Sequence, residues 1–169
     1  MDFTEVYQRH HRQIRAYAAS RVGHGLAEDV VGQTFLIAVE KADKVPSDPL
    51  PWLLGVARNV LRERYREELR QRALAEQMQA WVDQVERDVA DGVVEKATAL
   101  RALASLVDTD RELLTLVAWH GLTARQAAKV VGCSTATFFV RLHRARRRFE
   151  LALDSSRRSA DEPSYEAAR

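Results

Sequence analysis

The chain has 169 residues, of which 46% are hydrophobic and 30% charged, with a formal net charge of +2; this allows one ordinary domain or two small ones with packed cores. Its single cysteine, Cys133, excludes a disulfide framework and an all-cysteine metal site. No segment approaches the ~18 uncharged apolar residues of a membrane span and the N-terminus lacks an apolar signal core, so we expect a cytoplasmic protein without membrane insertion.

Three helices are predicted in residues 1–70. Asp2 and Glu5 match a capping box, and three- and four-residue spacing predicts one buried face, formed by Phe3, Tyr7, His10, Ile14 and Tyr17. Because His10 lies on that face, we interpret it as a core histidine and not as a ligand or base. A second helix is expected over about residues 27–42, with a buried side that includes Val30, Phe35 and Ala38.

A proline-rich loop precedes the third helix. Residues 44–51 hold three of the four prolines, which lack an amide donor and restrict the residue before them, so this segment is predicted to be a stiff loop. Pro51 suits the first turn of the third helix, whose buried residues are predicted to be Trp52, Val56 and Val60. Another face of this helix repeats arginine at the same spacing: Arg58, Arg62 and Arg66.

Residues 71–92 are predicted to be a partly helical, acidic linker, because they combine helix formers with a ragged apolar pattern. Arginine-rich segments at 58–72 and 134–158 flank this linker. Either basic segment taken alone is equally well explained as a solvated helix face.

A second helical domain is predicted over residues 93–153. Its first helix covers about residues 93–107, and Thr109 with Glu112 matches a capping box for the next helix, which Gly121 closes. The residues after it, 154–169, are expected to form a mobile tail.

The last two helices of this domain match a helix-turn-helix. Thr123 and Gln126 form a capping box for a short helix closed by Gly132, and Ser134 caps a longer helix with a buried stripe of Phe138, Leu142, Ala145 and Phe149. An ordinary helical hairpin is the simpler interpretation. The arginine run 146–148 favours DNA binding, with the second helix in the major groove and basic residues at the phosphates.

Both halves of the chain resemble the extracytoplasmic-function (ECF) sigma factors of the sigma-70 family. Residues 26–66, with Leu-Ala-Glu-Asp-Val-Val-Gly-Gln-Thr-Phe-Leu and Pro-Trp-Leu-Leu-Gly-Val-Ala-Arg-Asn-Val-Leu, resemble their sigma-two domain. Residues 111–146, from Arg-Glu-Leu-Leu-Thr-Leu to Arg-Leu-His-Arg-Ala-Arg, resemble their sigma-four domain. The order and spacing of the two parts are far more specific than either part alone.

The resemblance implies an all-α protein with two small helical domains, acting as an alternative RNA polymerase sigma factor in promoter recognition and transcription initiation. The implied partners are the polymerase core (through its beta-prime coiled coil), promoter DNA and an anti-sigma factor, although many relatives are controlled otherwise. The implied core-binding residues are Glu28, Asp29 and Gln33. The implied contacts with melted minus-ten DNA are Arg58, Asn59, Arg62 and Arg66. The implied contacts with the minus-thirty-five duplex are Thr135, Phe139, Val140, Arg141, Arg144 and Arg147.

The chain departs from the family pattern at three places. Relatives usually carry Gln-Glu where this chain has Gly32-Gln33, which removes a carboxylate and places glycine in a helix at a cost of roughly 1 kcal/mol relative to alanine. Relatives usually have lysine and a small polar residue at Phe139 and Val140, so these side chains are predicted to contact thymine methyl groups or a protein partner. Gln126 replaces the usual glutamate and still fits a capping box.

Three other functions are less consistent with the sequence. A LuxR-type helix-turn-helix regulator would carry a sensing or phospho-acceptor N-terminal domain, usually with strands. A sigma-like adaptor without its own initiation activity would fit the departures at Gly32, Phe139 and Val140. An enzyme is disfavoured, since the histidines lack metal-ligand spacing and no glycine-rich phosphate loop occurs; we expect no catalytic residue, metal or cofactor.

Overall fold

The computed structural model describes residues 2–64 and 94–161, and its regular structure in these ranges is helical throughout, which confirms the predicted all-α class. In chain order the helices are α1 (Phe3–Val22), α2 (His24–Glu40), a short 3-10 helix (Ala42–Lys44), α3 (Leu50–Arg64), α4 (Val94–Ser105), α5 (Asp108–Ala118), α6 (Ala124–Val131) and α7 (Thr135–Asp161). Within those ranges, no helix combines the length and apolarity of a membrane span. The predicted linker, 71–92, lies outside the described residues.

The start of α1 has half of the predicted capping box. Asp2 Oδ1 accepts a hydrogen bond from the Thr4 amide at 2.9 Å. The side chain of Glu5 does not return to the cap but forms an ion pair with Arg9, one turn further along the same helix. The cap therefore satisfies one of the free amides at this helix end through Asp2 alone.

The buried face of α1 is shorter than predicted. His10, Ile14 and Tyr17 are buried, which confirms His10 as a core histidine. Tyr7 stays 42% exposed, because at this end of α1 its ring packs only along an edge, 4.8 Å from the ring of Phe35 on α2 and stacked on a neighbouring histidine of its own helix.

The predicted buried stripe of α3, Trp52, Val56 and Val60, is wrong at its first two residues. The residues fully removed from solvent are Leu53, Leu54, Ala57 and Leu61, whereas Trp52 and Val56 are only partly buried. Val60 is buried as predicted, and Pro51 lies in the first turn. Two apolar stripes overlap on this helix, and the leucine-rich one faces α1 and α2 because it buries more apolar surface. Trp52 and Val56 consequently border a surface groove.

The predicted capping box at Thr109 and Glu112 is wrong. Helix α5 begins two residues earlier than that cap implies, at Asp108, and its N-cap is Val107, which has extended backbone and makes no side-chain cap. The Glu112 side chain points away from the helix end and into the first domain. Arg111 instead joins α5 to the end of α4, because its guanidinium donates hydrogen bonds to the carbonyl oxygens of Leu103 and Ala104 at 3.2 and 3.1 Å.

The helix-turn-helix has the predicted caps. Thr123 and Gln126 form a complete capping box, and Gly132 ends α6 in the left-handed conformation with φ +76, which only glycine adopts without strain. The Thr137 amide donates to Ser134 Oγ at 3.1 Å, so Ser134 caps α7.

Helix α7 is longer than predicted. It continues through residues 154–161, where a mobile tail was expected, and the remaining residues, 162–169, lie outside the described part of the chain. The hydroxyl of Ser156 donates to the Ala152 carbonyl one turn back, at 2.9 Å, so this serine is accommodated inside the helix.

The two groups of helices pack together around one continuous core. Helix α3 of the first group lies on α6 of the second. The buried cluster contains Tyr17 and Leu54 from the first group and Leu113 and Val130 from the second. Any surface that α3 offers to a ligand therefore lies beside the helix-turn-helix in this arrangement.

Candidate nucleic-acid and protein interfaces

The outer face of α2 carries the predicted core-binding residues. Glu28 and Asp29 are exposed and Gln33 is half-buried, one turn apart along the same helix. Leu36 continues this face at 53% exposure, and Gly32 has open space where a side chain would stand. The face therefore combines carboxylates with an exposed apolar group, which suits a protein partner with basic and apolar side chains.

The predicted minus-ten residues on helix α3 differ in their exposure and in their hydrogen bonding. Asn59 and Arg62 are exposed, while Arg58 is partly buried and donates from Nε to Glu112 Oε1 at 2.9 Å. Arg66 lies outside the described residues. Thus two of the four predicted contacts are free to meet a ligand in this arrangement, and the third is already engaged.

A groove of about 680 Å³ runs between this helix with its preceding loop and helix α6. Arg58, Asn59 and Arg62 line one wall, and Lys129 lies on the other. A hydrogen bond from Gln126 Nε2 to Asp48 Oδ2, at 3.0 Å, joins the walls. The cationic groups make the groove attractive to a polyanion, and its other lining residues are Pro46, Asp48, Pro51, Trp52, Gly55, Val56, Gln126, Val130, Val131 and Gly132.

A buried ionic cluster lies beside the groove and joins the two groups of helices. Glu112 Oε1 accepts from the Tyr17 hydroxyl at 2.6 Å and lies 2.8 Å from Nη1 of Arg21 and 2.9 Å from Nε of Arg58. Arg21 Nη2 also meets Asp108 Oδ2 at 2.8 Å. We call Glu112 with Tyr17, Arg21 and Arg58 the interdomain cluster. The Glu112 side chain is 1% exposed, so its charge depends on these partners.

The electrostatics of the cluster keep Glu112 ionised. Burial alone would raise the pKa of Glu112, but the charges of Arg21 and Arg58 and the hydrogen bond from Tyr17 outweigh burial and hold the pKa below its ordinary value. Burial and the Glu112 carboxylate raise the pKa of the Tyr17 hydroxyl, which therefore stays protonated and donates. His120, whose ring packs edge-on against Tyr17, has its pKa lowered by burial.

Sequence reasoning missed this cluster. The pattern around Glu112 matches a helix cap, and its hydrogen-bond partners lie 95 and 54 residues away in the chain. The sequence does carry one signal for the cluster, which is that Tyr17 and Glu112 fall on the apolar sides of their helices. Polar groups that are buried in this way require hydrogen-bond partners.

The exposed face of α7 carries the predicted duplex contacts. The predicted core stripe is confirmed for Phe138, Leu142 and Ala145, with Phe149 partly buried. The remaining faces carry Thr135, Phe139, Val140, Arg144 and Arg147, all exposed, and Arg141, half-buried at the boundary. Phe139 and Val140 are 57% and 52% exposed, so both present apolar surface beside the arginines of this face.

One arginine of the run 146–148 has a structural partner. Nη1 of Arg148 lies 2.8 and 3.0 Å from the two carboxylate oxygens of Asp110, which ties α7 to the first turn of α5. Arg146 and Arg147 remain exposed. Helix α7 is thereby fixed on its domain, and its exposed side combines apolar groups with cations.

Two family models match the chain, sigma-70 region 2 over residues 6–71 and sigma-70 region 4 over residues 97–149. The ECF RNA polymerase sigma factor EcfG of Rhodopseudomonas palustris is 31% identical over 144 residues, covering 83% of this chain and 78% of that protein. The RNA polymerase sigma factor NccH of Alcaligenes xylosoxydans xylosoxydans is 29% identical over 164 residues, covering 91% and 88%.

Two solved structures have the same arrangement of helices. The sigma factor RpoE of Bartonella quintana, in complex with the anti-sigma factor NepR, aligns with a TM-score of 0.68 and 26% identity, covering 90% of this chain and 97% of that one. CnrH, in complex with the cytosolic domain of CnrY, aligns with a TM-score of 0.65 and 25% identity, covering 95% and 89%.

Proposed function

This chain belongs to the ECF sigma factors of the sigma-70 family and is an alternative sigma factor of RNA polymerase, and we propose that three of its surfaces divide the work of promoter recognition. The outer face of α2 binds the beta-prime coiled coil of the core enzyme through Glu28, Asp29 and Gln33. Helix α3 and its preceding loop contact melted minus-ten DNA, and α7 contacts the minus-thirty-five duplex. In this division, residues 1–70 and 93–153 are the sigma-two-like and sigma-four-like domains.

The observation that carries this proposal is the exposed side of α7. A helix held on its domain by a buried stripe and by the Arg148–Asp110 pair, with Phe139, Val140 and Arg144 turned outward, has the form of a major-groove helix. Arginine supplies phosphate attraction and exposed apolar groups can pack on thymine methyls. Asn59 and Arg62 on α3 supply an amide and a guanidinium, which hydrogen-bond to base edges or stack on bases in single strands.

We propose further that the protein works in the cytoplasm, where core polymerase is, that its role is non-catalytic, and that an anti-sigma factor is among its partners. The complex of the Bartonella sigma factor with NepR supports the last point. The LuxR-type alternative has no support, since a sigma-70 region 2 model matches the N-terminal half. The adaptor alternative remains separable by experiment.

In vitro transcription tests the function. Purified chain and bacterial core polymerase are incubated with fragmented genomic DNA, and the transcript 5′ ends are sequenced. A discrete set of start sites that requires the added chain is the expected result. A complex that forms but opens no promoter would favour the adaptor, and no complex at all would refute the proposed surfaces on α2.

A further inference from the structure

The interdomain cluster is the feature of this chain that promoter recognition does not explain. Its carboxylate, Glu112, comes from α5 of the second domain, while its three donors, Tyr17, Arg21 and Arg58, come from α1 and α3 of the first. These charged groups are buried only while the two domains are packed together, because each group returns to water when the domains separate.

The cluster is complete only while the two domains are packed together, which we call the closed arrangement. One oxygen of Glu112 receives the Tyr17 hydroxyl and two guanidinium groups, and the Glu112 and Arg21 side chains are 1% and 8% exposed. Removing one partner from such a buried group leaves the others desolvated and unpaired, which is strongly unfavourable. The closed arrangement should therefore be sensitive to a single substitution at Glu112.

The closed arrangement also occupies the helix that is proposed to contact minus-ten DNA. The guanidinium of Arg58 is bound to Glu112, and α6 covers the neighbouring surface through buried Val130 and the Gln126–Asp48 hydrogen bond. The Arg58 side chain is 16% exposed while it is bound to Glu112, so it offers a nucleotide little surface until it is released. Closure and DNA contact through Arg58 are thus in competition.

We propose that the interdomain cluster locks the free chain in a closed state, in which Arg58 is withheld from DNA, and that opening requires Glu112 to release it. The DNA half of this proposal rests on the proposed function, since Arg58 is there a minus-ten contact; the locking half does not. Opening is then a step that precedes or accompanies promoter contact, and any partner that prefers one state shifts the balance.

Distance measurements between the domains test the locking half. Donor and acceptor dyes are attached at exposed positions through Lys41→Cys and Glu150→Cys, in a Cys133→Ser background, and single-molecule energy transfer is recorded without DNA. The labelled parent should populate one compact state. Glu112→Gln should shift the closed-to-open ratio by more than about tenfold, and Tyr17→Phe should shift it less in the same direction.

The matched control is Glu5→Gln, which removes an exposed carboxylate that is ion-paired within α1. It should leave the distance distribution unchanged. Circular dichroism checks that each variant keeps its helices, and Tyr17→Phe decides the question if Glu112→Gln does not fold. An unchanged distribution in a folded Glu112→Gln or Tyr17→Phe variant would overturn the proposal.

Binding of a short fluorescein-labelled single-stranded DNA of random sequence tests the DNA half. Because the apparent affinity scales with the fraction of molecules in the competent state, Glu112→Gln should bind more tightly by the factor by which its open fraction rises. DNA added to the parent should in turn increase its open fraction. If the variant opens without any gain in DNA affinity, closure does not withhold Arg58 and the proposal is overturned, whereas the proposed function is judged by transcription with core polymerase alone.

Discussion

Replacing Arg111 by methionine removes the guanidinium that joins α4 to α5 while keeping a long unbranched side chain. Arg111 is 2% exposed and donates to the carbonyl oxygens of Leu103, Ala104 and Leu106 at 3.2, 3.1 and 2.5 Å. The Leu103 oxygen keeps its hydrogen bond from the Leu106 amide at 3.3 Å, but the other two carbonyls lose the donor that Arg111 supplies, at a cost of about 1–3 kcal/mol each. Part of this cost is offset because a buried charge no longer has to be desolvated. We expect the free energy of unfolding to fall by about 3 kcal/mol.

Urea denaturation followed by circular dichroism measures this loss, and amide hydrogen exchange locates it. Protection should fall first in α4, whose carbonyl end Arg111 holds. Arg125→Met is the control, since Arg125 is an exposed arginine on α6 and its replacement should change stability by less than about 0.5 kcal/mol. Equal unfolding free energies for the two variants would refute the assignment of Arg111 as the link between α4 and α5.

Four other tests use five variants. Gln33→Glu should tighten binding to core polymerase by about two- to fivefold in a titration, because it adds a charge-assisted contact; unchanged or weaker binding would remove that role. Asn59→Ala should lower promoter opening about tenfold in a permanganate footprint without weakening core assembly, and equal losses in both assays would make Asn59 structural. Arg144→Ala should weaken binding to all duplexes alike and reduce the slope of log K against log salt by about 0.9. Phe139→Lys should change the preferred minus-thirty-five sequence, by roughly 1–3 kcal/mol at one base pair. Identical selected sequences for the parent and Phe139→Lys would exclude base contact by Phe139. Burial lowers the pKa of His120 in the folded protein. The stability that neutral His120 contributes is therefore complete above the ordinary imidazole pKa and is lost as pH falls below that value. As pH falls, the unfolding free energy should decline more steeply for the parent than for His120→Gln.

The helix-turn-helix could be predicted closely because its signals are local. The capping box of Thr123 and Gln126, the left-handed Gly132 and the Ser134 cap each depend on residues within one turn. The same local logic fails for Glu112, because a capping pattern and a long-range ion pair look alike when only sequence neighbours are considered.

Predictions that depended on packing were less accurate. Overlapping apolar stripes on α3 left the choice between Trp52 and Leu53 to the neighbouring helices, which a sequence alone does not supply. The exposed side of α7 was predicted correctly because its buried stripe was assigned correctly, whereas the residues on the outer side of α2 were chosen by family resemblance. The roles of the residues on those sides came from family resemblance and remain predictions.

The length of α7 provides an internal distance standard. At 1.5 Å rise per residue, the separation between Thr135 and Asp154 along its axis is about 28 Å, and the Arg148–Asp110 pair holds the helix on its domain. Two dyes placed on this one helix should report the same separation whether the domains are together or apart. If the distance between α2 and α7 changes while the distance within α7 does not, the change can be attributed to relative motion of the domains and not to unwinding of α7.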